Sequence, residues 1–239
     1  MKKRLSKKIK AILFDLDGTL LEVNLKQFIP EYLKLLASSV SHLVNPSKFI
    51  SKLMITSQTV DKNDGNKTNE EIFAETFFPL IGYAREEIEP YIDKFYKDDF
   101  PKLRQYTRQK PAAQKVMKTA FKKGFDVVIA TTPLLPEIAI RQRLEWAGIA
   151  AFPYKLITTL ENTRANKSNL LYYKLILEII DHPAEACMMV GDEDKDMAAA
   201  KLGIYTFLVQ SSNTELDPST PEPNYRGTLK DLNLLILES

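Results

Sequence analysis

Short apolar runs recur along the chain, and each has the length of a single strand. They cover residues 9–14, 125–130, 154–157, 186–190 and 204–209. Apolar runs without polar alternation are typical of strands that are covered on both faces. Helical patterns separate the later runs, over residues 111–123, 136–147 and 168–180, and the first two stop at a glycine. This alternation predicts an α/β fold with a doubly wound parallel sheet, which binds ligands beyond the carboxyl ends of its strands.

Residues 23–108 break the alternation, because their apolar residues recur at helical spacing, as in Phe28, Tyr32 and Leu36. We therefore expect an inserted all-helical domain at 23–108, within a core domain made of residues 1–22 and 109–239. A polar loop at 61–67 does not fit a calcium-binding EF-hand, since Asn66 and Ile72 stand where that loop needs Gly and Glu. Residues 211–227 are rich in Pro and Ser, which predicts a surface loop before a last helix from Leu229.

Charge and cysteine content exclude several classes of protein. The chain of 239 residues has 33 Lys and Arg against 31 Asp and Glu, so no bulk positive field attracts nucleic acid or anionic lipid. The single cysteine, Cys187, cannot form an intramolecular disulfide. No secretory signal or membrane-length apolar run is present in the sequence. We expect a cytoplasmic protein with neither nucleic acid nor membrane as a partner.

Two aspartates, Asp15 and Asp17, follow the first apolar run directly. Carboxylates at the end of a buried strand are costly unless a cation or hydrogen-bond donors meet them. A turn or helix cap explains one aspartate before Gly18-Thr19 better than it explains two. A strand that continued past Phe14 would point both side chains the same way. The spacing therefore favours a ligand site.

A second acidic group, Asp192 and Asp196, follows the apolar run at 186–190. If the two strands are neighbours, the acids of both meet at one edge of the sheet and suit a hard cation such as Mg2+. Glu193 and Asp194 lie in the same turn, and we expect them to be solvated rather than ligating.

Taken together, these residues resemble the four motifs of the haloacid dehalogenase superfamily, in the same order along the chain. The matching positions are Asp15-Leu16-Asp17-Gly18-Thr19, Thr131 at the end of Val127-Val128-Ile129-Ala130, Lys167 before a later helix, and Gly191-Asp192 with Asp196. The resemblance spans nearly the whole chain outside 23–108. It implies a Rossmann-like core, with the helical insertion as a cap domain.

The resemblance also implies roles for the acids. In the phosphatases of that superfamily, Asp15 would be the nucleophile that forms an aspartyl-phosphate, and Asp17 the general acid and base. Mg2+ would be held by the Asp15 carboxylate, the Asp17 backbone carbonyl and Asp192. Asp196 would ligate the ion or orient its ligands.

The phosphate-binding groups implied by the resemblance are Thr131, Thr132 and Lys167. Thr131 would donate its hydroxyl to a phosphoryl oxygen, and Thr132 stands where many relatives have Asn. Lys167 would neutralise the phosphate and the acids, although Ser168 follows it where many relatives have Pro. Arg164 and Lys155 are nearby alternatives for this cation.

The resulting hypothesis is a Mg2+-dependent phosphatase acting on a small phosphorylated metabolite through an aspartyl-phosphate. A phosphomutase would keep every residue named above, so it stays open. A 2-haloacid dehalogenase of the same fold does not need Asp17, which counts against it. A non-catalytic phosphate-binding relative is a further alternative. The identity of the metabolite and the oligomeric state stay open.

Overall fold

A six-stranded parallel sheet forms the centre of the protein. The computed structural model describes residues 5–211 and 214–239. The protein has eight strands in the described residues, six in this sheet and two in a separate ribbon. They are β1 (Ala11–Phe14), β2 (Leu21–Val23), β3 (Thr107–Gln109), β4 (Asp126–Ile129), β5 (Leu156–Ile157), β6 (Cys187–Gly191), β7 (Tyr205–Val209) and β8 (Tyr225–Gly227). The main sheet has the order β5-β4-β1-β6-β7-β8, and every pairing in it is parallel. The predicted α/β class and parallel sheet are therefore confirmed.

Helices cover this sheet and also form the segment between β2 and β3. They are α1 (Leu25–Ser39), α2 (Pro46–Asp61), α3 (Asn69–Ile81), α4 (Arg85–Asp98), α5 (Pro111–Lys122), α6 (Glu137–Trp146), α7 (Leu170–Ile180), α8 (Asp194–Met197) and α9 (Leu229–Leu237). Short 3-10 helices lie at Phe100–Tyr106, Ala184–Ala186 and Ala198–Leu202. Helix α7 begins two residues after the predicted start at 168, because the Asn169 side chain caps it by accepting from the Leu171 amide.

Strand β1 is buried on both faces, which explains its unbroken apolar sequence. Ile12 and Phe14 pack into one apolar cluster, whereas Ala11 and Leu13 pack into a second one across the sheet. β1 lies between β4 and β6, with Phe14 opposite Ile129 on one side and Val190 on the other. The residues that follow these three strands therefore meet at one edge of the sheet.

The segment 23–108 is helical in its interior but not at its ends, so the all-helical prediction is wrong there. Val23 pairs with Thr107 in an antiparallel two-stranded ribbon formed by β2 and β3. An exposed ion pair between Glu22 and Arg108 accompanies the ribbon. Three-residue strands are too short for an alternating pattern to reveal them.

The predicted loop at 211–227 also contains a strand, which the sequence analysis missed. β8 adds to the edge of the sheet beside β7. The Asn224 side chain, just before β8, accepts a hydrogen bond from the Thr206 amide and so holds the start of β8 against β7. Residues 212 and 213 of this predicted loop lie outside the described residues. Within residues 5–211 and 214–239, no helix has the length and apolar character needed to cross a bilayer.

Candidate active site

Asp15 extends the hydrogen bonding of β1 by one residue beyond the strand. Its amide donates to the Val190 carbonyl at 2.9 Å, which fixes the backbone at the carboxyl edge of the sheet. The side chain is only 5% exposed. Its carboxylate accepts a 2.5 Å hydrogen bond from Lys167 Nζ. A buried carboxylate thus lies beside a buried cation.

Asp17 forms an ion pair with a different cation from the one that contacts Asp15. The chain turns at once after Asp15, since Gly18 has φ +75° and its amide donates to the Leu21 carbonyl. The strand therefore does not run on past Phe14, and the two side chains do not share one direction. The Asp17 carboxylate forms an ion pair with Arg143 instead.

The second acidic group lies beside the first, because β6 is the neighbour of β1. Two glycines make this close approach possible: a Cβ on Gly18 would collide with the Asp192 carboxylate, and a Cβ on Gly191 with that of Asp196. One carboxylate oxygen from each of Asp15, Asp192 and Asp196 lies within 4.8 Å of the others. Three oxygens at such spacing suit a hard divalent cation.

Lys167 is the cation that the fold brings to these acids. It is 1% exposed, and its Nζ donates to Asp15 at 2.5 Å and to Asp196 at 2.6 Å. Arg164, one predicted alternative, is exposed. Lys155, the other, lies 3.9 Å from Asp126 at the opposite edge of the sheet. Among the three candidate cations, only Lys167 contacts the acidic cluster.

Burial and mutual repulsion shift the ionisation of the cluster. Burial raises the pKa of Asp192 to about 6, opposed by the hydrogen bond from Thr19 and assisted by the charge of Asp15. Burial also raises the pKa of Asp196 well above its usual range, against the effect of Lys167. Burial alone would lower the pKa of Lys167, but Asp15 and Asp196 raise it well above its usual value. Three carboxylates facing one ammonium leave an excess of negative charge, which favours a divalent cation.

Thr131 and Thr132 follow β4 and so lie next to Asp15 in the sheet. The Ala130 amide bonds to the Phe14 carbonyl at 2.7 Å, which joins the two strand ends. Thr131 is 3% exposed, and its carbonyl accepts hydrogen bonds from the hydroxyls of Thr158 and Tyr172, each at 2.9 Å. These bonds fix the peptide that carries the Thr131 hydroxyl and the Thr132 amide.

Two cations at the site were not found from the sequence. Lys110 donates to the Gly18 carbonyl and supports the turn after Asp17. Arg143 is 4% exposed, and burial lowers its pKa to about 10, against the effect of the Asp15 charge. The sequence did indicate that Arg143 is buried, because its spacing from apolar residues such as Ala139 and Ile140 places it on the buried face of α6. No pattern in the sequence indicated that Lys110 would lie at the site.

A cavity of about 490 Å3 lies between the inserted helices and residues 134–136. Apolar side chains such as Phe28, Phe49 and Phe77 line most of it, and the aspartates of the cluster do not. The acidic cluster thus lies at the sheet edge, outside this cavity, although charged residues such as Arg85 and Glu161 are part of the cavity lining.

The sequence as a whole matches a known family. The family model of haloacid dehalogenase-like hydrolases matches residues 9–203, which is most of the chain. The chain belongs to this family. Comparison with curated proteins gave no sequence match. In this haloacid dehalogenase-like hydrolase, the residues that resemble the four motifs lie after β1, after β4, before α7 and after β6.

Solved structures of both phosphatases and dehalogenases share this fold. The chain is similar to a HAD phosphatase from Thermococcus onnurineus, with 18% identity, a TM-score of 0.60, and coverage of 95% of this chain and 98% of that one. It is also similar to L-2-haloacid dehalogenase from Xanthobacter autotrophicus, with 12% identity, a TM-score of 0.56, and coverage of 96% and 98%. A predicted phosphoglycolate phosphatase from Haemophilus somnus has 14% identity, a TM-score of 0.56, and coverage of 95% and 98%. At these identities the likeness establishes the fold of this haloacid dehalogenase-like hydrolase.

Proposed function

We propose that this protein is a Mg2+-dependent phosphatase that hydrolyses a small phosphorylated metabolite through an aspartyl-phosphate. The observation that carries the proposal is the buried contact of Asp15 with Lys167 beside Asp192 and Asp196. A carboxylate that attacks a phosphate dianion needs cations to offset the repulsion between them. Lys167 is one such cation, and the acidic cluster is a site for a second.

Asp15 is the proposed nucleophile. Its carboxylate oxygen forms a bond to phosphorus while the bond from phosphorus to the ester oxygen breaks. Lys167 contacts the Asp15 carboxylate, so it holds the nucleophile in place and opposes the charge of the incoming phosphoryl group. Water then attacks phosphorus, which releases inorganic phosphate and restores the Asp15 carboxylate.

Asp17 is the proposed proton carrier for both steps. It gives a proton to the leaving alcohol oxygen and later takes one from the attacking water. The two roles need separate residues, because the nucleophile must be ionised when the acid is protonated. The structure keeps Asp15 and Asp17 on different cations, Lys167 and Arg143.

The donor set fits Mg2+, which prefers oxygen ligands. The Asp15 and Asp192 carboxylates and the Asp17 backbone carbonyl would hold the ion. Asp196 suits an orienting role, since one of its oxygens accepts from Lys167 and the other from the amides of Asp192 and Glu193 at 3.2 and 3.3 Å. When bound, Mg2+ supplies positive charge against the phosphoryl oxygens.

The remaining parts of the proposal concern the phosphate and the cap. Thr131 and the Thr132 amide would donate to phosphoryl oxygens, since both follow β4 beside Asp15. The helical segment 23–108 would act as a cap that covers the substrate and excludes water. Dehalogenation is less well supported, because Asp17 and the metal-binding acids would have no use in it.

Metal-dependent phosphate release is the direct test of this proposal. A panel of phosphorylated metabolites and one aryl phosphate should give release with Mg2+ and loss of release with a chelator. Release that is unchanged by the chelator would contradict the metal site. Transfer of phosphate between sugar phosphates, in place of release, would instead indicate a phosphomutase.

The Asp17→Asn variant should slow both half-reactions by about 100-fold or more, the range found for removal of a general acid or base. An aryl phosphate separates the two steps, because its leaving group needs little protonation. We expect a burst of aryl alcohol close to one equivalent of enzyme, followed by slow turnover, in a stopped-flow measurement. Steady turnover at the wild-type rate would remove Asp17 from the mechanism.

A further inference from the structure

Both members of the ion pair of Asp17 and Arg143 have a buried polar atom without a partner. Among the described residues, four buried side-chain nitrogen or oxygen atoms lack a hydrogen-bond partner. Three of them are Asp17 Oδ1, Gln142 Oε1 and Arg143 Nε, and the fourth is Thr159 Oγ1. Buried polar groups are nearly always bonded, so a cluster of exceptions points to a missing polar ligand.

Arg143 needs an anion at every stage of the reaction. Its side chain is 5% exposed, and a guanidinium in such a place is strongly unfavourable without a negative partner. Asp17 is that partner in the structure. Asp17 uses Oδ2 for this contact, and its Oδ1 and the Arg143 Nε are left without partners. Oδ1 is thus free for the leaving oxygen while Oδ2 stays on Arg143, and Nε is a donor free for an anion on the substrate.

The direction of Arg143 indicates which part of the substrate this is. Lys167 and Asp15 define the phosphoryl side of the site, since they contact each other beside the acidic cluster. Asp17 acts on the leaving oxygen, so the alcohol part of the substrate lies on the Asp17 side. Arg143 contacts Asp17 and therefore lies beside the alcohol part.

On the basis of the phosphatase function above, we propose that Arg143 binds a carboxylate next to the phosphoester carbon, so that the substrate is the phosphomonoester of a hydroxy acid. The guanidinium keeps its contact with Asp17 Oδ2, and its Nε supplies the donor that the structure leaves unused. A planar carboxylate suits the geometry of such guanidinium donors.

Two matched pairs of phosphomonoesters test this assignment. 2-Phosphoglycerate and glycerol 2-phosphate differ only in a carboxylate that replaces a hydroxymethyl group, and so do phosphoglycolate and 2-hydroxyethyl phosphate. We expect wild-type kcat/KM to favour the acid member of each pair. Arg143→Gln should lower kcat/KM for the acid members by about 10- to 100-fold more than for the alcohol members, as expected for the loss of a hydrogen-bonded charge.

The chain offers a matched control on the same helix. Arg141 is exposed and pairs with Glu137, so Arg141→Gln removes an arginine without touching the site and should keep the wild-type preference. Arg143→Lys retains the charge in the buried position but loses the fork, and should give an intermediate preference. If Arg143→Gln fails to fold, the preference of Arg143→Lys for the acid members provides the test. A wild-type enzyme without preference, or an equal loss on both members of each pair, would overturn the assignment.

Binding without turnover separates this assignment from the phosphatase proposal. Calorimetry on Asp15→Asn, with and without Arg143→Gln, should show that the acid members lose affinity when Arg143 is removed. If this selectivity is present while the wild type releases no phosphate, the hydrolysis proposal is wrong and the Arg143 site stands. If phosphate is released but neither binding nor kcat/KM depends on the carboxylate, the Arg143 site is wrong and the hydrolysis proposal stands. Absence of binding for all four compounds would overturn the Arg143 site.

Discussion

The Asp15→Asn variant is expected to lose phosphate release by about 1000-fold or more, because an amide oxygen cannot replace the carboxylate nucleophile. The fold should survive, since Asn keeps the shape of the side chain and the Asp15 amide still bonds to the Val190 carbonyl. Release of phosphate under saturating substrate measures the loss, and circular dichroism with thermal unfolding checks the fold. In labelled water, wild-type enzyme should release phosphate that carries one 18O and should leave Asp15 unlabelled, because water attacks phosphorus and Asp15 keeps its own oxygen; mass spectrometry of the phosphate and of the Asp15 peptide detects both results.

Asp126→Asn is the matched control for this experiment. Asp126 lies at the amino end of β4, at the opposite edge of the same sheet, and pairs with His182. Its replacement removes a carboxylate of the core without touching the acidic cluster, so activity should stay close to wild type. Retained release in Asp15→Asn would disprove the covalent mechanism, and 18O in Asp15 would show that water attacks the carboxyl carbon instead of phosphorus.

The Lys167→Met variant should lose both activity and stability. Removal of the ammonium leaves Asp15 and Asp196 buried without their cation, and the loss of one member of a buried ion pair costs about 3–5 kcal/mol. Activity should fall by about 100-fold or more, because the phosphoryl group also loses a positive partner. Urea unfolding measures the first effect, and phosphate release below the unfolding transition measures the second.

Lys155→Met and Arg164→Met provide the controls for Lys167. Both residues are cations near Lys167 in the sequence, but neither contacts the acidic cluster, so each variant should stay near wild type in activity and stability. Normal kinetics in Lys167→Met together with a loss in Arg164→Met would show that the phosphate-neutralising cation had been misassigned.

The sheet and the acids at its edge were predictable because few physical rules decide them. Strand β1 has no polar alternation since both of its faces are covered, and this pattern is visible in Ala11-Ile12-Leu13-Phe14. Parallel strands present their carboxyl ends at one edge, so Asp15 and Asp192 had to lie close once β1 and β6 were neighbours. Lys167 was predicted from the resemblance to the superfamily, and its burial could not be read from the sequence.

The parts that were missed depend on contacts between residues far apart in the chain. β8 consists of Tyr225-Arg226-Gly227, and only its pairing with β7 makes it a strand. Asp15 and Asp17 contact different cations because the chain turns at Gly18, which the period-two argument did not include. Arg143 was not singled out from the sequence, although its place among Ala139 and Ile140 indicated burial.

Trp146 has a consequence for experiments on this protein. It is the only tryptophan in the chain, and it is 6% exposed. Its indole stacks on Phe100 at 5.4 Å and meets the edge of Phe28 at 6.5 Å, and both of these rings belong to the inserted segment, whereas Trp146 ends α6 of the core. Its emission is therefore a built-in optical reporter: a blue-shifted spectrum marks the two parts in contact, and a red shift marks their separation, without any attached dye.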